Sequence, residues 1–180
     1  MNGHKALSCN NRNPIEKTMR AWDRPFQPPR NRRLDPLLYR NPGYVYFITI
    51  RAFRDCKPFV SGNMNAPILQ ILREQQNACG CVLYIYCLMP DHIHFLASPK
   101  TEQVSVLDYV VRFKGKSTHE SWKTGWRGKL WQPRFYDHIV RSEENLVDIA
   151  NYILENPVRK GLCESADDWQ WSGHMNPLPT

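Results

Sequence analysis

The stretch that most constrains the fold is the apolar run over residues 82–98, broken only at Pro90-Asp91. Residues 82–89 and 92–98 are each strand-length and rich in β-branched, aromatic and aliphatic side chains. Pro90-Asp91 makes a tight turn between them, so the second strand pairs back on the first. Around this hairpin the periodicity alternates. Residues 44–50 read as a strand, and residues 66–78 as a helix with Ile68, Leu69, Ile71 and Leu72 on one stripe, ending at Gly80. A second helix runs from Val104 to about Trp122, and a strand interrupted by Pro133 spans 130–140. A last helix starts from Ser142 as N-cap, with Glu143 and Glu144 in its first turn, and runs to Asn156, where Pro157 and Gly161 stop it. The order β-α-β-β-α-β-α is that of an α+β, ferredoxin-like split βαβ. It predicts a four-stranded antiparallel sheet, two helices on one face and the last helix over the other.

At 180 residues and 21.2 kDa the chain is long enough for one domain with its own core. No stretch approaches the roughly 18 apolar residues of a membrane span, and the first residues lack the apolar run of a signal peptide. A cytoplasmic protein without membrane contact is the expectation. Six cysteines are too few for a disulfide framework. Cys81 and Cys87 share strand parity with Leu83, Ile85 and Met89, which favours buried thiols. A zinc set of Cys79, Cys81 and Cys87 with His92 and His94 is the competing reading, against which stands the one-residue gap between Cys79 and Cys81.

The net charge of +7 suggests a polyanionic partner. Its distribution says more. Residues 1–42 carry +6 and six of the fourteen prolines, as expected of an extended basic arm. Residues 43–111 are neutral, 112–134 carry +6, and 135–180 carry −5. The second basic block interleaves Arg112, Lys114, Lys116, Lys129 and Arg134 with Phe113, Trp122, Trp126 and Trp131. Cations beside flat rings suit single-stranded nucleic acid, whose phosphates take the charge and whose unstacked bases take the ring faces. A solvated basic helix followed by a tryptophan-rich core strand is the plainer alternative.

Parity on the third strand puts His92 and His94 on one face, opposite Ile93, Phe95 and Ala97; two imidazoles so spaced can share a metal ion, and taken alone they read as a surface or hydrogen-bonded pair. On the last helix Leu146, Ile149, Ala150 and Ile153 form the apolar stripe, while Asn145, Asp148, Tyr152 and Asn156 fall within about 80° of one another beside it. Taken alone, Tyr152 reads as an amphipathic side chain at the core margin and Asn156 as a helix cap.

Three segments, in order, carry a resemblance: Met89-Pro90-Asp91-His92-Ile93-His94, then Trp131-Gln132-Pro133-Arg134-Phe135-Tyr136-Asp137-His138, then Tyr152-Ile153-Leu154-Glu155-Asn156-Pro157-Val158-Arg159-Lys160-Gly161-Leu162. Together they resemble the REP-associated tyrosine transposases, single-tyrosine HUH nucleases related to the transposases of small bacterial insertion sequences. The resemblance covers about residues 43–175, including Asp168-Trp169-Gln170-Trp171-Ser172. It leaves residues 1–42 as an arm and 176–180 as a tail. It implies Tyr152 as nucleophile, His92 and His94 as metal ligands and Asn156 as a third ligand. The ion would be Mg²⁺ or Mn²⁺, and the partner single-stranded DNA bearing a palindromic hairpin. The resemblance also implies a monomer that cleaves and rejoins DNA through a 5′-phosphotyrosine. His138 falls in a shared motif as support for the site, and Asp148 lies one turn before Tyr152 as a candidate base by geometry only. Under the same resemblance the DNA surface would include Arg112, Lys114, Lys116, Lys129, Trp131 and Arg134. A catalytically silent nucleic-acid-binding regulator of the same fold is the alternative.

Overall fold

The computed structural model describes residues 34–141 and 144–179. Most of the basic arm, and the Ser142 cap with Glu143, lie outside the described residues. The elements are β1 (Val45–Arg51), α1 (Asn65–Cys79), β2 (Cys81–Met89), β3 (His92–Pro99), α2 (Val106–Lys123), β4 (Tyr136–Val140), α3 (Leu146–Leu154), α4 (Asn156–Arg159) and β5 (Ser172–His174).

The strands form one antiparallel sheet in the order β4-β1-β3-β2-β5. The first four strands make the expected split βαβ, in which each crossover helix carries the chain past one intervening strand. The fifth strand is a difference. It is three residues long, too short for a periodicity signal, and it pairs on the outer edge of β2. Trp169 Nε1 donates to Leu88 O at 3.0 Å and Leu88 N donates to Trp171 O at 2.9 Å, so the segment covers an edge that would otherwise offer open backbone groups.

Two cores sandwich the sheet. On one face α1 and α2 close over Ile48, Ile50, Leu83, Leu88, Ile93 and Phe95. On the other, Ile149, Ala150 and Ile153 of α3 cover Ile85, Cys87, Met89 and Leu96. The apolar stripe predicted for the last helix is therefore the one that docks. Gly80 ends α1 in the left-handed conformation (φ 68°), and a Cβ there would meet Val104 Cγ2 at 2.9 Å.

Four local differences have physical causes. A β-bulge between Leu83 and Ile85 inserts one residue into β2 and reverses its parity. Cys81 and Leu83 consequently face the α1/α2 core, while Ile85, Cys87 and Met89 face α3. The expected shared parity of the cysteines does not hold, and a zinc set drawing on both Cys81 and Cys87 is ruled out by the sheet between them. The strand expected over 130–140 is shortened to Tyr136–Val140; before Pro133 only Trp131 pairs, as an isolated bridge to Ala52. The last helix starts later than expected, with Asn145 as its cap: Asn145 Oδ1 accepts from Val147 N at 2.9 Å. Finally, residues next to Gly43 pack onto the domain, since Tyr39 is fully buried and stacks on Tyr46 at 5.8 Å.

Candidate active site

The sheet face beneath α3 gathers polar residues into one line. Tyr136, Thr49, His94, Cys87 and Ser172 are register partners across all five strands, and Arg51, His92 and Met89 form the next line toward the hairpin turn. Register partners present their side chains on the same face, so His92 and His94 point away from the α1/α2 core as their alternation predicts.

Their ring nitrogens face each other, with Nε2 to Nε2 at 2.9 Å. Each remaining nitrogen has a partner. His92 Nδ1 lies 2.6 Å from Asp91 Oδ1, and His94 Nδ1 lies 2.7 Å from Thr49 Oγ1. An ionised carboxylate only accepts, so His92 Nδ1 carries a hydrogen and its Nε2 is the nitrogen left for other work. Two bare lone pairs at this distance repel, so the gap holds either a hydrogen on one ring or a metal ion. Two imidazoles whose other nitrogens are already engaged form a donor set that could hold a divalent ion.

The electrostatics favour neutral ligands at His94. Burial pushes its pKa well below the usual value, and positive charge at His92, Arg159, Arg51 and Lys160 acts in the same sense. The hydrogen bond with His92 holds the Asp91 carboxyl below its ordinary range, outweighing its partial burial, with the charges of His92 and Arg51 adding to the effect. Arg51 Nη2 reaches Asp91 Oδ2 at 3.5 Å.

Tyr152 reaches this face from α3. Its ring packs edge-on against Phe47 at 6.3 Å, and Phe47 in turn packs against His94 at 5.4 Å, so a single side chain separates the phenol ring from the histidine. Tyr136 also packs edge-on with Phe47, at 6.0 Å. Burial holds the Tyr136 phenol above its ordinary pKa, with Asp137, Glu144 and Tyr152 adding to it. The Arg159 guanidinium lies 3.9 Å from the Tyr152 ring centroid. Asn156 is buried at 4% exposure and opens α4, the short helix that carries Arg159 and ends on Lys160. Among the described residues no three His, Cys, Asp or Glu side chains converge on one point.

The supporting residues divide. His138, the register partner of Phe47 on β4, binds Glu144 through Nε2 at 2.8 Å, and Glu144 also accepts from Arg141 N. Asp148 is exposed in the first turn of α3, where a carboxylate complements the helix N-terminus.

The residues expected at the DNA surface lie elsewhere. Trp131 is a correction: its ring is 4% exposed, packs on Phe59 and Phe113, and donates Nε1 to Ser117 Oγ at 2.8 Å, so it offers no face to a base. The open indole in this block is Trp122, 46% exposed. Lys114 Nζ donates to Gln132 O and Pro133 O, tying α2 to the segment before β4. Arg112 and Lys116 are exposed on α2, across the sheet from the histidines, Lys129 stands 5.6 Å from the Phe53 ring, and Arg134 is exposed.

The sequence pattern of the family described as "Transposase IS200 like" matches residues 45–156, the span from β1 through Asn156. The chain belongs to the IS200-like transposase family. Two curated relatives are similar to it: a protein of Haemophilus influenzae described as a REP-associated tyrosine transposase (31% identical over 100 residues) and the REP-associated tyrosine transposase of Escherichia coli K12 (26% over 88). Each alignment covers 48% of this chain, and the chain spans about half the length of these relatives, 54% and 50%. A solved structure of a REP-associated tyrosine transposase bound to a REP hairpin shares the fold, with a TM-score of 0.61 and 21% identity over 73% of this chain and 77% of that one. This IS200-like transposase also answers to the resemblance seen in its motifs. Reading sequence alone missed Thr49, Asp91 and Phe47 as partners of the histidines. A lone threonine inside the apolar strand 44–50 and an aspartate directly before His92 were the available signals.

Proposed function

We propose that this IS200-like transposase is a site-specific single-stranded DNA endonuclease and strand transferase that works through a 5′-phosphotyrosine on Tyr152. The observation that carries the reading is the facing Nε2 pair of His92 and His94, backed by Asp91 and Thr49, with the Tyr152 ring one side chain away. Hairpin-bearing DNA is taken as the partner because the structure that shares this fold is bound to a REP hairpin. A cytoplasmic monomer is the form proposed to act, and no helix among the described residues is long and apolar enough to cross a membrane.

His92, His94 and the amide oxygen of Asn156 would hold a divalent ion, Mg²⁺ or Mn²⁺. When bound, such an ion polarises the scissile phosphate and offsets the charge that develops on it. Asp91 and Thr49, bonded at the two Nδ1 atoms, fix the orientation of the rings and would leave both Nε2 atoms for that role. Arg51 and Lys160, whose charges act on His94, draw the phosphate toward the same place. The Tyr152 phenol gives up its proton to solvent as its oxygen attacks phosphorus in line, the P–O3′ bond breaks, and the leaving 3′ oxygen takes up a proton from solvent. The 3′-hydroxyl, or that of another strand, then attacks the phosphotyrosine in the reverse sense and restores a phosphodiester and the free phenol. One phosphoester is exchanged for another at each step, so no nucleotide triphosphate is consumed.

The test is incubation with hairpin-bearing single-stranded DNA and Mn²⁺, followed by a denaturing gel. A covalent protein–DNA species is expected from the native protein and is lost in Tyr152→Phe, with DNA binding retained. Binding without an adduct from the native protein would instead support a silent regulator.

A further inference from the structure

The motif Asn156-Pro157-Val158-Arg159 does more than end a helix. In a continuous helix residues 152 and 159 lie about 10 Å apart along the axis, too far for one side chain to cover the other's ring. Here α3 stops at Leu154 and the chain restarts at Asn156 with Pro157, which has no N–H for the helical ladder. The restart brings Arg159 back over the preceding turn. Its guanidinium lies 3.9 Å from the Tyr152 ring centroid, its Nη2 donates to Tyr152 O at 2.6 Å, and its Nη1 stands 3.8 Å from Glu155 Oε2.

These contacts restrain different parts of one residue. The hydrogen bond anchors the Tyr152 backbone at the last turn of α3, where carbonyls lack helical partners. The cation on the ring face restrains the side chain. Glu155 holds the guanidinium from its other edge. Phe47 supports the same ring edge-on at 6.3 Å. The phenol ring is thus contacted by both Phe47 and Arg159.

We infer that Arg159 is the positioning residue of the nucleophile, a clamp that fixes the Tyr152 ring before DNA arrives. The inference rests on Tyr152 being the nucleophile, as proposed above. Pre-set geometry of this kind acts on the rate of the chemical step and not on affinity.

Two measurements test it. In protein labelled with 3-fluorotyrosine, the Tyr152 fluorine resonance is identified by its absence in Tyr152→Phe. It is expected to shift in Arg159→Gln while the other tyrosine signals stay in place; an unmoved Tyr152 signal would overturn the clamp whether or not the protein is active. In single-turnover adduct formation at saturating hairpin DNA and Mn²⁺, Arg159→Gln is expected to lower the rate at least about 10-fold. Hairpin affinity and melting temperature should stay at native values. Arg159→Lys should recover part of the rate, and millimolar guanidinium should recover part of it in Arg159→Ala. A native rate in Arg159→Gln, or a slower rate matched by weaker affinity or lower stability, overturns the positioning role. If the native protein forms no adduct, the nuclease reading and the kinetic half of this inference both fall, and the fluorine signal alone decides whether the clamp exists.

Discussion

Thr49 Oγ1 stands 2.7 Å from His94 Nδ1, and the two residues are register partners across β1 and β3. His94 is 7% exposed and Thr49 is 5% exposed, so neither can exchange the other for water. The hydroxyl therefore decides which nitrogen of His94 is left facing His92, and how the ring is turned. Removing a partner of this kind commonly costs 10–100-fold in metal affinity or activity. Thr49→Val keeps the shape and loses the hydroxyl. It is expected to lower Mn²⁺ affinity and the adduct rate by about that range, while Thr49→Ser retains most of both. Equal values for Thr49→Val and the native protein would remove Thr49 from the site.

The basic block should separate into two kinds of residue. Arg112 and Lys116 are exposed on α2, whereas Lys114 directs its ammonium to the carbonyls of Gln132 and Pro133. Removing one cation that binds a phosphate reduces the salt slope of DNA binding by about one unit. Arg112→Gln and Lys116→Gln are expected to do so with unchanged melting temperature. Lys114→Met is expected instead to destabilise the fold by about 1.5–3 kcal/mol, the usual contribution of a hydrogen bond to a charged group. DNA titrations at several salt concentrations, paired with thermal melts, distinguish the two, and an unchanged slope in both glutamine variants would move the DNA surface off α2.

Much of this architecture was legible because periodicity reports burial. The alternation around His92 and His94, the stripe Leu146, Ile149, Ala150 and Ile153, and the Pro90-Asp91 turn all stand as expected. The bulge in β2 was not legible, because an inserted residue among uniformly apolar neighbours changes no pattern, yet it sends Cys81 and Cys87 to opposite faces. Trp131 misled for a related reason. An aromatic ring beside lysines serves a base and a core equally well, and only its packing on Phe59 and Phe113 and its bond to Ser117 decide. Arg159 was visible as part of a motif, but its reach back to Tyr152 depends on the break at Asn156-Pro157, which is a property of three-dimensional packing.

The cysteines give a pH prediction of definite sign. Burial pushes the thiols of Cys81 and Cys87 from an ordinary 9.0 up to about 12. Both stay protonated in the folded protein well past the point where an unfolded thiol ionises. Their contribution to stability is therefore complete below pH 9 and is lost as pH rises from 9 toward 12. Thermal melts across that window should show falling stability, and the fall should be smaller in the Cys81→Ala and Cys87→Ala variants relative to their own neutral-pH values. In native protein at pH 8, iodoacetamide should modify exposed Cys56 and leave Cys81 and Cys87 unmodified, with peptide mass spectrometry as the readout. Rapid native labelling of Cys87 would contradict its burial against Met89 and α3.

Tyr39 marks how far the folded unit extends beyond β1. Its ring is fully buried and stacked on Tyr46, and its hydroxyl donates to Asp137 Oδ2 at 2.5 Å, joining the segment before β1 to β4. Tyr46 ties the same segment down by donating its hydroxyl to Leu38 O. Truncating a large buried ring costs about 3–5 kcal/mol, while removing only a hydroxyl that binds a carboxylate costs about 1.5–3 kcal/mol. Tyr39→Ala is accordingly expected to destabilise more than Tyr39→Phe in urea unfolding. Because Tyr39 packs in the α1/α2 core and the histidines lie across the sheet, Tyr39→Phe should leave adduct formation at its native rate. A Tyr39→Ala variant as stable as the native chain would show that the domain proper starts at β1, as an arm ending at residue 42 would have it.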